Sequence, residues 1–127
     1  MSYKIIFLDI DGTLTNAEKK VTPATKKALF EAQEKGYLAA IASGRPDRGV
    51  EGIAREIGLD KFGGFTLSYN GGRVRNFKTG ELLVQKSLGS DAFGIVAEFA
   101  RRNGADVMTY EAVSYTHLRA HETVLDL

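Results

Sequence analysis

The sequence predicts an α/β fold, an open Rossmann-like parallel sheet followed by the beginning of an α+β cap. Three observations predict it. Two short apolar runs, Lys4 to Leu8 (KIIFL) and Tyr37 to Ala42 (YLAAIA), flank a stretch that carries helix-start and helix-stop residues. A strand, a helix and a strand in that order form a crossover, and a crossover joins parallel neighbours. Beyond about residue 76 the pattern changes to a hairpin, a helix and a strand, which is a different architecture.

Each element has its own signal. KIIFL is continuous, β-branched and aromatic, as expected of a strand buried on both faces. Thr22-Pro23 starts a helix, with Thr22 as N-cap and Pro23 at the first helical position. Ala24, Ala28, Leu29 and Ala32 carry that helix to Gly36, which suits the C′ position. YLAAIA is the second buried strand. Ser43-Gly44-Arg45-Pro46 opens a second helix, whose apolar face is Val50, Ile53, Ala54 and Ile57, and Gly58 closes it. Phe65 to Tyr69 is the third strand, ending at the tight turn Asn70-Gly71-Gly72. RVRNF and LLVQK make two short strands joined at Lys78-Thr79-Gly80. Ser90 is expected to cap a helix that buries Phe93, Val96, Ala97 and Ala100, with Gly104 after it, and Asp106 to Tyr110 reads as another strand. The organisation expected is 1–75 for the core, 76–112 for part of the cap, and 113–127 as a tail with no clear strand or amphipathic helix.

Composition narrows the function classes. At 127 residues the chain can bury one core, and 43% hydrophobic with 26% charged residues is ordinary for a globular protein. Seventeen basic residues against sixteen acidic ones give +1, which offers no electrostatic case for nucleic acid or an anionic membrane. With no cysteine there is no disulfide framework and no thiolate metal site. The N-terminal apolar run is too short for a signal peptide, and no stretch approaches the roughly 20 apolar residues of a membrane span. The expected location is cytoplasmic.

The chemistry-bearing residues follow the strands. Asp9 and Asp11 sit two apart at the carboxyl end of the first strand, where open parallel sheets place ligands. They tend to project to one side if Ile10 stays extended. Two crowded carboxylates repel, and a cation relieves that. Oxygen donors without cysteine or a nearby histidine suit a hard ion, so Mg²⁺ is the expected cofactor. Gly12 lets the backbone turn, so its amide can approach an anion. Ser43, Gly44 and Arg45 supply a hydroxyl, an exposed amide and a cation at a helix start, a cradle for phosphate. Taken alone, SGR also reads as ordinary helix capping, and Asn70-Gly71-Gly72 as an ordinary turn. An EF-hand fails, because Leu14 and Lys20 stand where glycine and glutamate are required. A Walker motif fails as well, because Val50 stands in place of the lysine. His117 and His121, with Glu122, would face together on a helix, but the third ligand a zinc site requires is missing.

Together FLDIDGTL, ASGRP and YNGG resemble the haloacid dehalogenase-like hydrolases, in particular the Cof-type phosphatases with a large α/β cap, over roughly Tyr3 to Glu111. The resemblance implies a Mg²⁺-dependent phosphatase of small phosphorylated metabolites such as sugar phosphates. Asp9 would be the nucleophile that forms an aspartyl-phosphate, and Asp11 the general acid and base. Mg²⁺ would be held by the Asp9 side chain and the Asp11 backbone carbonyl. Ser43 and the amides of Gly12 and Gly44 would bind the phosphoryl group, with Arg45 and Asn70 close by. The family pattern also has a lysine and a GDxxND-like motif after the cap; no GD dipeptide follows Asp11 here, and Lys78 and Lys86 lie in the hairpin. Val113 to Leu127 resembles a translated sequencing-adapter segment, so the chain is expected to be cut inside the cap and inactive by itself. The competing readings are a non-catalytic fragment or binding module, or a phosphoacceptor domain of receiver type. The receiver places its acceptor aspartate at the end of the third strand, where this chain has Tyr69-Asn70.

Overall fold

The computed structural model describes residues 4–110 and the backbone of residues 115–118. The chain divides into two compact units, Met1–Lys86 and Ser87–Leu127.

The first unit is a five-stranded sheet in the order β1 (Ile5–Leu8), β2 (Leu38–Ala42), β3 (Gly64–Ser68), β4 (Arg73–Asn76), β5 (Leu82–Gln85). β1, β2 and β3 are parallel neighbours, in register Leu8↔Ile41 and Ala42↔Leu67, and β3–β4–β5 are antiparallel. The parallel sheet is therefore as expected. The hairpin grouped with the cap on sequence is hydrogen-bonded directly onto β3 and continues the same sheet.

Helix α1 (Pro23–Glu34) starts as its sequence dictates. The Thr22 side chain accepts from the Thr25 amide at 3.3 Å, Pro23 fills the first turn, and Gly36 follows at φ 92°. Helix α2 (Asp47–Glu56) buries Val50 and Ala54, and Ile57 just beyond it, the apolar stripe read from sequence. A short helix α3 (Leu59–Phe62), which no periodicity announced, tucks Leu59 under the sheet. Ile10, Leu14, Leu29, Ile41, Val50, Ile57 and Leu59 form one cluster. Burying each large aliphatic side chain stabilises the fold by about 1.5–3 kcal/mol. β2 and β3 approach so closely that a Cβ on Gly64 would meet the Ala39 carbonyl at 2.3 Å.

One expectation fails here. KIIFL is not buried on both faces: β1 is a sheet edge among the described residues, and Ile5 and Phe7 are 40% and 63% exposed. An apolar run reports a preference for burial, but it cannot name the neighbour that supplies it. Beyond β1 the chain turns, with the Leu14 amide on the Asp9 carbonyl at 3.0 Å and the Thr15 amide on the Ile10 carbonyl at 3.0 Å. Ile10 is fully buried, while Asp9 and Asp11 on either side of it are exposed.

In the second unit, α4 (Ser90–Arg102) precedes β6 (Val107–Tyr110). Its N-cap is Gly89 rather than Ser90, and no side chain caps it. Ala97 and Ala100 are buried as expected, but Val96 is exposed, as are Ile95 and Phe99. The backbone of β7 (Tyr115–Leu118) pairs antiparallel with β6, a strand within a segment whose residues carry no clear strand pattern. His117 therefore sits on a strand, and His121 and Glu122 lie outside the described residues. No helix among the described residues is long and apolar enough to cross a membrane.

The second helix is tied to the sheet by ions. Asp47, its first residue, accepts hydrogen bonds from Ser68 Oγ and, at 2.5 Å, from Arg73, and Arg75 lies 3.5 Å away. Partial burial pushes the Asp47 carboxyl up, but the bonds from Ser68 and Arg73 and the charges of Arg73 and Arg75 outweigh it and hold it below the ordinary range. A carboxyl depressed in the folded state contributes stability above its unfolded pKa and loses it as pH falls through the folded value. Thermal midpoints measured between about pH 6 and about pH 2 should therefore fall more steeply for the wild type than for Asp47→Asn, with the gap between them closing in acid. Parallel curves would show that the network adds nothing to folding.

Candidate active site

Three parallel strands end on one side of the sheet, so the segments that follow them are brought together by topology alone. Asp9 to Gly12 follow β1, Ser43 to Pro46 follow β2, and Tyr69 to Gly72 follow β3. Neighbouring parallel strands lie about 4.8 Å apart, within reach of side chains.

Hydrogen bonds knit the loops. The Ser43 amide donates to the Leu67 carbonyl at 2.9 Å, Tyr69 N to the Arg45 carbonyl at 3.0 Å, and Asn70 N to the Ser43 carbonyl at 3.1 Å. Tyr69 and Asn70 both adopt left-handed backbone, φ 51° and 56°. Asparagine tolerates that region; tyrosine does so less readily, and the two bonds to the SGR loop hold it there. The turn presents the Asn70 side chain above Gly44, so close that a Cβ on Gly44 would meet Asn70 Oδ1 at 2.9 Å. Any side chain at 44 would have to displace the Asn70 amide, a constraint that the bare SGR pattern does not reveal.

Ser43 is buried and its Oγ accepts from the Arg45 amide at 3.1 Å, which leaves its hydroxyl proton available to an acceptor. Arg45 reaches across to β1. Its Nε and Nη2 donate to the two Asp11 carboxylate oxygens at 3.1 and 2.5 Å, and Nη1 donates to the Gly49 carbonyl at 3.3 Å. That fork holds Asp11 below the usual carboxylate range: the hydrogen bond from Arg45 dominates, slight desolvation opposes it, and the charges of Arg45 and Lys19 assist. Gly12 turns at φ 81° with open space beside it. Asp9 is exposed, and among the described residues no side chain pairs with its carboxylate.

The donors have a consistent chemistry. Asp9 offers a carboxylate and Asp11 a backbone carbonyl, and the Asp11 carboxylate is paired with Arg45. Among the described residues no group of three or more histidines and acids converges. Oxygen donors of this kind are the type that a hard divalent ion takes.

Asp47, Ser68 and Arg73 also stand at this end of the sheet and were not singled out from sequence. The available signal was weak: an acid at the first residue of the helix after SGRP, and two arginines, Arg73 and Arg75, at the i, i+2 spacing that places them on one face of a strand.

Comparison with known proteins agrees with the motifs. The family model described as haloacid dehalogenase-like hydrolase matches residues 6–125, a span that runs through most of Val113–Leu127. YxeH of Bacillus subtilis is 38% identical over 89 residues, 70% of this chain and 33% of YxeH. The crystal structure of a haloacid dehalogenase-like hydrolase from Bacteroides thetaiotaomicron superposes with TM-score 0.83 at 37% identity, covering 91% of this chain and 44% of that one. The subclass IIB sugar phosphatase BT4131 superposes with TM-score 0.70 at 25% identity, covering 90% of this chain and 43% of its own. The chain thus spans between a third and a half of these relatives.

The contact between Asn70 and Gly44 can be tested alone. Gly44→Ala should destabilise the protein by about 1–3 kcal/mol through overpacking. In an Asn70→Gly background, which keeps the left-handed turn but removes the side chain, the same change should be nearly neutral. Equal losses in both backgrounds, measured by denaturant unfolding, would show that the two positions do not touch.

Proposed function

The chain belongs to the haloacid dehalogenase-like hydrolases, and from that premise we propose that it carries the nucleophile, the acid–base group and the phosphate cradle of a phosphatase. Small phosphorylated metabolites such as sugar phosphates are the proposed substrates, a reading supported by the likeness to a sugar phosphatase. The observation that carries the proposal is the convergence of DIDGT, SGR and Asn70 at the carboxyl ends of three adjacent parallel strands.

In the proposed reaction a carboxylate oxygen of Asp9 attacks phosphorus. The new O–P bond forms as the bond to the leaving oxygen breaks, and Asp11 gives that oxygen its proton. Asp11 then takes a proton from water, whose oxygen attacks the aspartyl-phosphate; inorganic phosphate leaves and the Asp9 carboxylate is restored. The hydroxyl of Ser43 and the amides of Gly12 and Gly44 point the phosphoryl oxygens, and α2 contributes the positive end of its dipole. For Asp11 to hold a proton, Arg45 has to release it. An arriving phosphoryl dianion competes for the same guanidinium, so binding and release are coupled. Mg²⁺ on the Asp9 carboxylate and the Asp11 carbonyl would supply charge neutralisation at the phosphoryl group.

The reading is tested by p-nitrophenyl phosphate hydrolysis in a relative that contains the same three motifs and also the later lysine and acidic motif. Turnover is expected only with Mg²⁺, and it should vanish when the aspartate equivalent to Asp9 becomes asparagine. A wild-type rate in that variant overturns the assignment of the nucleophile.

A further inference from the structure

We propose that Asp47, with Ser68 and Arg73, is a positioning device that fixes the geometry of the phosphate cradle before any ligand arrives; the inference builds on the cradle reading above. None of the three has been given a part in the chemistry, and none belongs to the apolar core cluster.

Their connectivity carries the argument. Asp47 opens α2 two residues after Arg45, and Ser68 closes β3 two residues before Asn70. One carboxylate therefore joins the two loops just outside the point where they form the cradle: Ser68 Oγ donates to Oδ1, and Arg73 on β4 donates to Oδ2 at 2.5 Å. Inside that joint lie the two amide bonds from Tyr69 and Asn70 to the Arg45 and Ser43 carbonyls. Those bonds keep two successive non-glycine residues in left-handed backbone, a conformation that persists only where the surroundings over-determine it. Ser68 is 0% exposed, so its hydroxyl has no water to turn to if the carboxylate is lost.

Charge makes the case specific to an anion site. An uncompensated carboxylate in the first turn of α2 would repel a phosphoryl group at the same helix end. Here Asp47 and Glu51 are matched by Arg73 and Arg75, two charges of each sign, with Arg75 within 3.5 Å of Asp47 and 3.9 Å of Glu51. The geometry is held by a carboxylate whose field is cancelled locally. Arg73 thus has two parts, anchoring the joint and screening Asp47, while Ser68 has only the first.

Amide hydrogen exchange and titration with inorganic phosphate, both read by NMR on this chain, test the proposal. Asp47→Ala and Ser68→Ala should each speed exchange of the Tyr69 and Asn70 amides by at least about tenfold, with little change at Leu38 and Ile57. If Asp47→Ala does not fold, Ser68→Ala decides. Phosphate binding, followed at the Ser43 and Gly44 amides, should weaken severalfold in Arg73→Ala and be largely rescued in Arg73→Lys, which keeps the charge. Unchanged exchange at Tyr69 and Asn70, or equal acceleration at Leu38 and Ile57, overturns the positioning role. Equal phosphate affinity in Arg73→Ala and the wild type overturns the screening role. Failure of the wild-type Ser43 and Gly44 amides to respond to phosphate instead overturns the cradle reading, while the exchange data still judge the joint.

Discussion

The ladder on both sides of β2 is the constraint from which the site follows. β1 and β3 run parallel to this strand, so three carboxyl ends lie at one level and three loops emerge as neighbours. Registers of Leu8 with Ile41 and Ala42 with Leu67 then bring Asp9, Ser43 and Asn70 to the same rim with no long-range device beyond main-chain hydrogen bonds. Their close packing rests on two absent Cβ atoms. Gly64 lets β3 close onto the Ala39 carbonyl, and Gly44 makes room for Asn70. A side chain at Gly64 would push the strand outward, and one at Gly44 would displace the Asn70 amide.

Upon that frame sits a division of ionic labour. The arginine of the SGR loop grips Asp11 in an exposed fork, where solvent keeps the grip exchangeable. The arginines of β4 grip Asp47 in a more enclosed one, where Ser68 and Arg73 satisfy both carboxylate oxygens. One pair is suited to letting go and the other to staying. The difference lies in burial and partner number, since both are arginine–aspartate contacts.

Much of this was legible in the residues. The βαβ unit, the caps at Thr22 and Gly36, the stripe of Val50, Ile53, Ala54 and Ile57, and the turn at Asn70 all follow from local patterns, and local patterns set local structure. What escaped was set elsewhere. The exposure of Phe7 depends on what packs against its face of the sheet, and KIIFL carries no record of its neighbours. The burial of Ala97 without Val96 depends on what α4 packs against. α3 is too short to show a period, and the pairing of β7 with β6 could not be read from a stretch with no alternation. Asp47 was invisible for a related reason, since its meaning comes from Ser68 and Arg73, twenty-one and twenty-six positions away. Motif residues announce themselves by type and spacing; supporting residues are defined only by contact.

Phe7 and Ile5 on the free flank of β1 have a consequence for the chemistry as well as for packing. Asp9 follows that strand and is itself exposed, so solvent screens the charges its carboxylate meets. At an effective dielectric of about 80, two unit charges 4 Å apart interact by about 1 kcal/mol, and at about 20 by about 4 kcal/mol. The same carboxylate, hydroxyl and amides would therefore act on a phosphoryl group several times more strongly if β1 were covered. Exposure at the end of β1 thus sets the scale of the electrostatics there, and a drier surrounding would make the same charges count for more.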